Sequence, residues 1–579
     1  MSNLPPSYDY SQAIRQLFDL LIRQPRHQEP YYLLKGDVAS VQSFIFSVQT
    51  KNAAKTLKAK SFYIQALTEL CVKFILNELG LAKEQVIFNG GAVFYLLIPQ
   101  SQVSDNWFED LQKKVALALL EIPHDPNINL AKVELNPGDK VGEKWEELSH
   151  ALLLNELKPY PGLYQEVFAP FGFKADYNKK WKRFTDDFVK SKPRVSGFNL
   201  INQGKTNQLF AKFGYALEKH TTSPTDTLDI QVKDTVLNKL PQWTEGIMTH
   251  YQEVAQKLEQ KHQDDPEYHL PKDNNIIDFE AMSLFAERRT GTAKLAVLKM
   301  DIDNLGTYFR KQDKLENAQK LSTAFGWFFQ TRLYDFLDIT LAGSEDRYRE
   351  NIYIIFSGGD DCFLAGAWDA VFAFAFKVQQ EFHEFQKSLR QALPGLSDSK
   401  DIALSAGLLM VDEHFPVTRF AELAEVAIDA AKTYQLPSEA KPSKNKVCIF
   451  GEVISWSDLD TVKELTNLLK QLVEEEKSRS ILERVKRSAV GYESLQKKIE
   501  KGTLSFDAVW RFSYYLRNVK TKKGKGLIRD KVDLGAGRET LVQAYQRLLI
   551  NAISRQQYTD AAIFPIAARW TEFLTRKKQ

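Results

Sequence analysis

The sequence predicts an α+β protein made of two ferredoxin-like domains, a mainly helical domain inserted between them and a helical domain at the C-terminal end. Three observations carry the prediction. Two short motifs recur in the same order and at nearly the same spacing in the two halves of the chain; one amphipathic helix lies between the motifs of each copy; and past Trp456 the patterning is helical.

The first copy spans residues 30–159, after an extension over 1–29. It opens on Leu33-Leu34-Lys35-Gly36-Asp37-Val38 and reaches Phe88-Asn89-Gly90-Gly91-Ala92-Val93-Phe94 about fifty residues later. The second, over 281–456, opens on Val297-Leu298-Lys299-Met300-Asp301-Ile302 and reaches Phe356-Ser357-Gly358-Gly359-Asp360-Asp361. Helices are expected over 61–79 and 316–337, where apolar residues such as Phe325, Phe328, Phe329 and Leu333 recur at helical spacing. After each glycine pair comes a second strand (94–98 or 363–366) and another helix, which gives the strand, helix, hairpin, helix, strand order of a ferredoxin-like unit. The second copy continues with a helix over 371–389, a strand over 402–409, a helix over 419–434 and a closing strand over 446–450. A loop holding Pro437 and Pro442 precedes that last strand. Residues 160–280 are polar, with Pro193, Gly197, Pro224 and Pro241 as loop signals, and form the insert. Residues 457–579 are expected as helices over 460–476, 479–502, 505–519 and 538–574, interrupted by the basic loop 520–525.

Length and composition exclude several classes. A chain of 579 residues exceeds what one hydrophobic core serves. With 44% hydrophobic and 26% charged residues it is neither disordered nor fibrous. The N-terminal stretch lacks the basic-then-apolar pattern of a signal peptide, and no apolar run approaches the roughly 20 residues that cross a bilayer, so a cytoplasmic protein without membrane contact is expected. Cys71, Cys362 and Cys448 lie apart in apolar runs, with no CxxC pair for zinc or redox chemistry, so no zinc is expected. The net charge of +3 names no partner, but from residue 501 onward 16 Lys and Arg face 6 Asp and Glu, a local excess of the kind that meets nucleic acid.

The chemistry sits in the second copy. Gly358 and Gly359 at a hairpin tip let backbone approach phosphate, and Asp360 and Asp361 follow at the start of the returning strand. The first strand of a ferredoxin-like sheet lies beside this hairpin, which should bring Asp301 within a few ångströms of Asp360. Two carboxylates at about 4 Å repel by roughly 4 kcal/mol at an effective dielectric near 20, so a cation is required. Mg²⁺ or Mn²⁺ fits, as a hard ion that shares its shell between carboxylates and substrate phosphate. There it would activate a ribose 3′-hydroxyl and neutralise charge on the attacked phosphate. This is a palm-type, nucleotidyl cyclase-like site. In the first copy the hairpin reads Asn89-Gly90-Gly91-Ala92-Val93, so the glycines remain and both acids are gone. That palm is expected to be catalytically silent, with Gly90 and Gly91 able to cradle a second nucleotide.

Taken together, several motifs resemble one family, the large paired-palm polymerase/cyclase subunit of type III CRISPR effector complexes. They are Lys35-Gly36-Asp37-Val38 with Gln42-Ser43-Phe44-Ile45-Phe46, Leu298 to Gly306 with its Asp301-Ile302-Asp303-Asn304 core, and the Gly-Gly-Asp-Asp hairpin. Ala424-Glu425 with Ala431-Lys432, Lys444-Asn445-Lys446-Val447 and the ending Ala568-Arg569-Trp570 complete the set. The resemblance covers nearly the whole chain. It implies a catalytic palm similar to that of diguanylate cyclases, which responds to guide RNA paired with target RNA through other subunits and joins ATP into 3′,5′-linked adenylate messengers such as cyclic oligoadenylate. On this chain it implies Asp301, Asp360 and the Ile302 carbonyl as metal ligands. Asp361 would be a further ligand or the group that helps deprotonate the 3′-hydroxyl. Ser357, Gly358 and Gly359 would line the ATP, with Asp303, Asn304 and Ser405 nearby and Lys432 against the triphosphate.

The chain departs from the family pattern twice. Only about thirty residues precede the first palm, so no HD nuclease activity is expected; the one His-Asp dipeptide, His124-Asp125, reads as a loop. The cysteine cluster that often binds zinc in the insert is missing. Three further readings stay open: AMP transfer to another acceptor such as S-adenosylmethionine, a catalytically silent RNA-binding scaffold, and a stand-alone diguanylate cyclase, which the paired degenerate palm and helical tail disfavour.

Overall fold

A computed structural model describes residues 8–21, 29–48, 53–120, 126–157, 241–265, 270–273, 275–396, 402–435, 444–476, 479–488, 507–517, 531–533, 538–554 and 558–576. Short pieces between 160 and 231 and residues 268 and 497 are described as well. The loops expected at His124-Asp125, Pro193, Pro224, Pro437, Pro442 and 520–525 lie outside the described residues.

In the first palm, α1 (Tyr10–Asp19) precedes β1 (Tyr31–Val38), α2 (Val41–Phe46), α3 (Ala53–Glu78), β2 (Val86–Gly90), β3 (Val93–Pro99), α4 (Trp107–Leu120), β4 (Ile128–Leu135) and α5 (Val141–Glu156). The sheet order is β2-β3-β1-β4. The apolar side chains of α3, among them Phe62, Leu67 and Leu70, are fully buried.

The insert was expected to be mainly helical. Its described residues include a three-stranded antiparallel sheet of β5 (Gly197–Asn202), β6 (Tyr215–His220) and β7 (Ile230–Gln231), in the order β6-β5-β7. Helices follow, α6 (Glu245–His250) and α7 (Gln252–His262). Phe198, Asn199 and Leu200 give a period-two signal only three residues long before Ile201 breaks it, short enough to be hidden among polar residues.

The second palm starts at α8 (Phe279–Thr290), capped by the Asp278 carboxylate on Ala281 N at 2.8 Å and ended by Gly291 at φ 75°. Then come β8 (Leu295–Ile302), α9 (Leu305–Arg310), α10 (Leu315–Trp327), β9 (Ile352–Gly358), β10 (Asp361–Ala367), α11 (Trp368–Ala392), β11 (Leu404–Val411), α12 (Phe420–Thr433), β12 (Lys446–Ile449) and β13 (Glu452–Ser455). The order β13-β12-β11-β8-β10-β9 contains the first palm's order strand for strand and adds two more; β13 was not expected. A π turn at Phe328–Arg332 continues α10.

The C-terminal part holds α13 (Leu459–Glu476), α14 (Ser480–Ser488) and α15 (Asp507–Leu516), then β14 (Lys531–Asp533), β15 (Arg538–Thr540), α16 (Leu541–Ser554) and α17 (Ile563–Leu574). The single helix expected over 538–574 is thus a strand and two helices. Pro565 explains the break, because proline is tolerated only in a first helical turn and therefore marks a new start there.

The palms pack on each other. Trp145 of α5 stacks on Tyr95 at 4.2 Å and on Phe309 of α9 at 5.2 Å, with an interplanar angle of 8° for the second pair. Buried Lys58 of α3 donates to the Ile354 carbonyl of β9 at 2.6 Å.

Candidate functional site

The site is assembled by register. β8 lies between β10 and β11, so Asp301 stands opposite Asp361 on one side and Ser405 on the other. Paired residues of neighbouring strands project to the same face, so Asp301 and Asp361 share one face of the sheet. Asp360 sits on the turn, where its carbonyl accepts from Ile302 N at 3.1 Å. Gly359 makes the turn at φ 63°.

The first palm repeats this backbone. Asp37 stands opposite Val93, Gly91 has φ 61°, and Val38 N donates to the Ala92 carbonyl at 3.0 Å. Ser40 and Asn304, each preceding the helix after its central strand, both adopt the left-handed conformation at φ 58°. What differs is the side-chain chemistry: Ala92 and Val93 replace the two aspartates.

The two glycine turns meet. A Cβ on Gly91 would lie 3.2 Å from the Gly358 carbonyl carbon and from Gly359 N, and one on Gly358 would lie 3.2 Å from Gly91 Cα. Only backbone without side chains permits this approach. A cleft of about 240 Å³ opens beside the contact. It is lined by Asp37, Glu69, Asn89, Gly90 and Gly91 from the first palm and by Gln330, Ser357, Gly358 and Asp361 from the second.

Charge is crowded here. Burial first, and then Asp360, push the Asp361 carboxyl up to about 8, against the pull of Lys299. Burial also raises Asp360, with a further push from Asp37 and an opposing pull from Lys35 and Lys299. Lys432, in the last turn of α12, forms an ion pair with Asp301. Burial, Lys444 and Lys299 nevertheless draw its ammonium down to about 8. Lys299 itself pairs with Glu425. At the far end of the cleft Glu69 accepts from Asn89 Nδ2 at 2.7 Å, and burial lifts its carboxyl to about 8.

Of the expected residues, Asp361, Ser357, Gly358, Gly90 and Gly91 line the cleft; Asp301 stands opposite Asp361 in register and pairs with Lys432, and Gly359 and Asp360 form the turn, bonded to Ile302 N through the Asp360 carbonyl. Asn304 is exposed on the loop beside it. Asp303 and Ser405, expected near the nucleotide, are turned inward at 2% and 0% exposure. Asp303 accepts from Ser405 Oγ and from Asn445 N, both at 2.9 Å, and so ties β8, β11 and the strand entering β12 together. Regular alternation would set Asp303 on the same face as Asp301; β8 ends at Ile302 instead, and the chain turns there to pair Asp303 N with the Ala403 carbonyl. Ser357 spends its hydroxyl on the Phe329 carbonyl within the π turn, at 2.6 Å. Gln330, Glu69 and the Lys299–Glu425 pair were not singled out from sequence. Lys299 and Glu425 stood inside quoted motifs, but Gln330 carried no signal.

For a divalent cation the donor chemistry fits: carboxyls in register, a third at the turn, the Ile302 carbonyl beside them, and burial that makes unshielded charge costly. The expected side-chain set is not closed, however. Among the described residues no three His, Cys, Asp or Glu side chains converge as a metal cluster, and Asp301 is directed to Lys432.

Residues 294–447 match the family model described as Cas10/Cmr2, second palm domain, and residues 30–172 match Csm1 subunit domain B. The chain is 25% identical over 558 residues to the Methanocaldococcus jannaschii CRISPR system single-strand-specific deoxyribonuclease Cas10/Csm1 of subtype III-A, covering 83% of this chain and 65% of that protein. With the Mycobacterium tuberculosis protein of the same name it shares 25% identity over 474 residues, covering 75% and 56%. The chain therefore spans less than two thirds of the length of these relatives. Among solved structures, a Csm1–Csm4 cassette in complex with one ATP superposes with a TM-score of 0.66 at 18% identity, covering 97% of this chain and 72% of that one. The cassette in complex with cA4 gives 0.63 at 16% identity, covering 97% and 72%. Two family models matched in palm order and relatives aligned along most of the sequence lead to one conclusion: the chain is similar, through both palms, to the Cas10/Csm1 large subunits of type III-A CRISPR complexes.

Proposed function

We propose that this chain is the nucleotidyltransferase of its complex: when guide RNA held by other subunits pairs with target RNA, it joins ATP into 3′,5′-linked adenylates that close into cyclic oligoadenylate. The observation that carries the reading is the back-to-back glycine contact. It sets one acid-bearing turn and one acid-free turn on a common cleft, as a reaction between two unlike nucleotide positions requires. Solved Csm1–Csm4 cassettes in complex with ATP, pppApApA, cA3 and cA4 support carrying this chemistry over. A Csm4-like subunit is proposed as a partner on the same ground.

In this proposal the donor ATP lies against Gly358-Gly359 and the acceptor against Gly90-Gly91. The acceptor's 3′-oxygen attacks the donor's α-phosphorus, the bond to the β-phosphate oxygen breaks, and pyrophosphate leaves. Mg²⁺ or Mn²⁺, held by Asp301, Asp361, Asp360 and the Ile302 carbonyl, would supply charge neutralisation and a more acidic hydroxyl. Asp361, held in its carboxylate form against the burial that otherwise favours the acid, would take up the hydroxyl proton. Lys432 leaves Asp301 and turns its ammonium to the triphosphate. Asp303 and Ser405 hold the end of β8 in register and touch no substrate.

The test is the assembled complex with cognate target RNA, divalent metal and labelled ATP, with products identified by mass. Cyclic adenylates that depend on target RNA and disappear in the Asp360→Ala, Asp361→Ala variant are expected. An unchanged product from that variant, or no product in any RNA condition, would refute the reading.

A further inference from the structure

Helix α15 has two unlike faces. On one, Phe512 and Leu516 are fully buried, and Phe512 stacks on Tyr545 of α16 at 4.1 Å and 12°. On the other, Trp510, Tyr514 and Tyr515 are 65%, 46% and 39% exposed. Residues four apart on a helix lie one above the other, and Trp510 and Tyr514 accordingly stack at 5.2 Å and 21°. The Arg517 guanidinium lies over the Tyr514 ring at 3.5 Å, and Tyr515 meets Tyr514 edge-on at 6.0 Å. Arg511 is exposed beside Trp510, and Arg484 of α14 donates to the Tyr515 carbonyl at 3.5 Å. The sequence from residue 508 to residue 529 holds seven Lys and Arg and no Asp or Glu.

A stacked pair of aromatic rings facing solvent leaves apolar area hydrated that packing would otherwise bury, and clusters of this kind mark contact surfaces. The charge decides which kind. Protein–protein interfaces favour Trp, Tyr and Arg but are depleted of Lys, whereas here the arginines beside the ring stack are followed in sequence by Lys520, Lys522, Lys523 and Lys525 with no acid from 508 to 529. Rings that offer open π faces, interleaved with guanidinium groups, make the platform on which successive bases of a single strand stack while cations hold its phosphates.

We infer that the exposed face of α15 binds single-stranded nucleic acid, its bases stacking on Trp510 and Tyr514 and its phosphates meeting Arg511 and Arg517, without sequence preference. The site lies outside the palm cleft and does not rest on the adenylate chemistry proposed for it. Stacking and phosphate contacts do not use the 2′-hydroxyl, so RNA and DNA strands bind alike.

The experiment measures anisotropy of fluorescein-labelled 12-nucleotide oligo(U) and oligo(dT) with the 579-residue chain. Trp510→Ala with Tyr514→Ala should weaken both probes at least tenfold. Trp510→Phe with Tyr514→Phe, which keeps the ring faces, should retain most of the affinity. Arg511→Ala with Arg517→Ala should lower the slope of log K against log salt by about 1.4, the value for two single-strand phosphate contacts. These side chains are exposed, so the unfolding profile should stay that of the parent. Wild-type affinity in the Trp510→Ala, Tyr514→Ala variant would overturn the proposal. So would loss of a protein subunit from the purified complex while affinity for the probes is kept.

Discussion

Gly91→Ala places a methyl group in the silent palm and should be felt in the active one. The substitution has two separable costs. Gly91 has φ 61°, where an L side chain costs roughly 1–2 kcal/mol. Its Cβ would also stand 3.2 Å from the Gly358 carbonyl carbon and Gly359 N and 3.3 Å from the Gly358 carbonyl oxygen, so the catalytic turn must move by a few tenths of an ångström. Gly80 supplies the control, with φ 63° and nothing within 4 Å of its would-be Cβ. Both alanine variants should therefore lose about 1–2 kcal/mol from the positive φ, a drop of a few degrees in apparent melting temperature, and Gly91→Ala somewhat more from its added contact. Only Gly91→Ala should also lose adenylate synthesis, by up to about tenfold, since a full ångström of misplacement costs about a hundredfold and this shift is a few tenths of that. Scanning calorimetry and target-RNA-dependent product formation on the same preparations make the comparison. Equal activity in the two variants, with equal melting shifts, would refute the idea that the turns are mechanically coupled.

Other expectations follow from the same geometry. Lys432→Ala should raise the KM for ATP and lower kcat together, by about a hundredfold in kcat/KM, with little change in melting, because its Asp301 pair is partly solvated. Ser405→Ala removes a buried donor to Asp303 and should cost about 1–2 kcal/mol while leaving the KM for ATP unchanged; a raised KM would restore Ser405 to the nucleotide. Glu69, lifted from its ordinary 4.5 to about 8, is neutral in the folded cleft and charged in the unfolded chain at pH 7. Stability that is complete below pH 4.5 is thus lost as pH rises through about 8, and Glu69→Gln should flatten that slope and gain on the order of 2 kcal/mol at pH 8, read from urea unfolding at several pH values. Trp145→Ala opens the stack between the palms and should cost about 3–5 kcal/mol.

The catalytic half was legible because its signals are contiguous. Asp301 ends an apolar strand, and Gly358 to Asp361 is a hairpin whose chemistry can be read without knowing what surrounds it. The repeat in the first palm was legible for the same reason, down to the shared Lys-x-Asp of Lys35 and Lys299. What sequence did not carry was side-chain direction at strand ends. The pairing of Asp301 with Asp361 is a matter of register, and the burial of Asp303 and Ser405 depends on strands brought together from distant segments. The approach of Gly91 to Gly358 is likewise a packing event between units far apart in the chain; the glycines were visible, but their contact was not. In the C-terminal part, apolar periodicity runs on from α16 to α17 and masked the break that Pro565 marks. The three short strands of the insert held too few apolar residues to stand out from a polar stretch.

The central claim is that one palm reacts and its twin only holds a nucleotide. Its most direct measurement is RNA-dependent turnover of labelled ATP by complexes carrying Asp361→Asn or Asp37→Asn, the latter at the first palm's counterpart of Asp301. Removing the group that accepts the proton and shares the cation should lower the rate by about a thousandfold or more for Asp361→Asn, while Asp37→Asn should lower it by less than about tenfold, through Asp360 alone. Comparable losses in the two complexes, or full activity in Asp361→Asn, would contradict it.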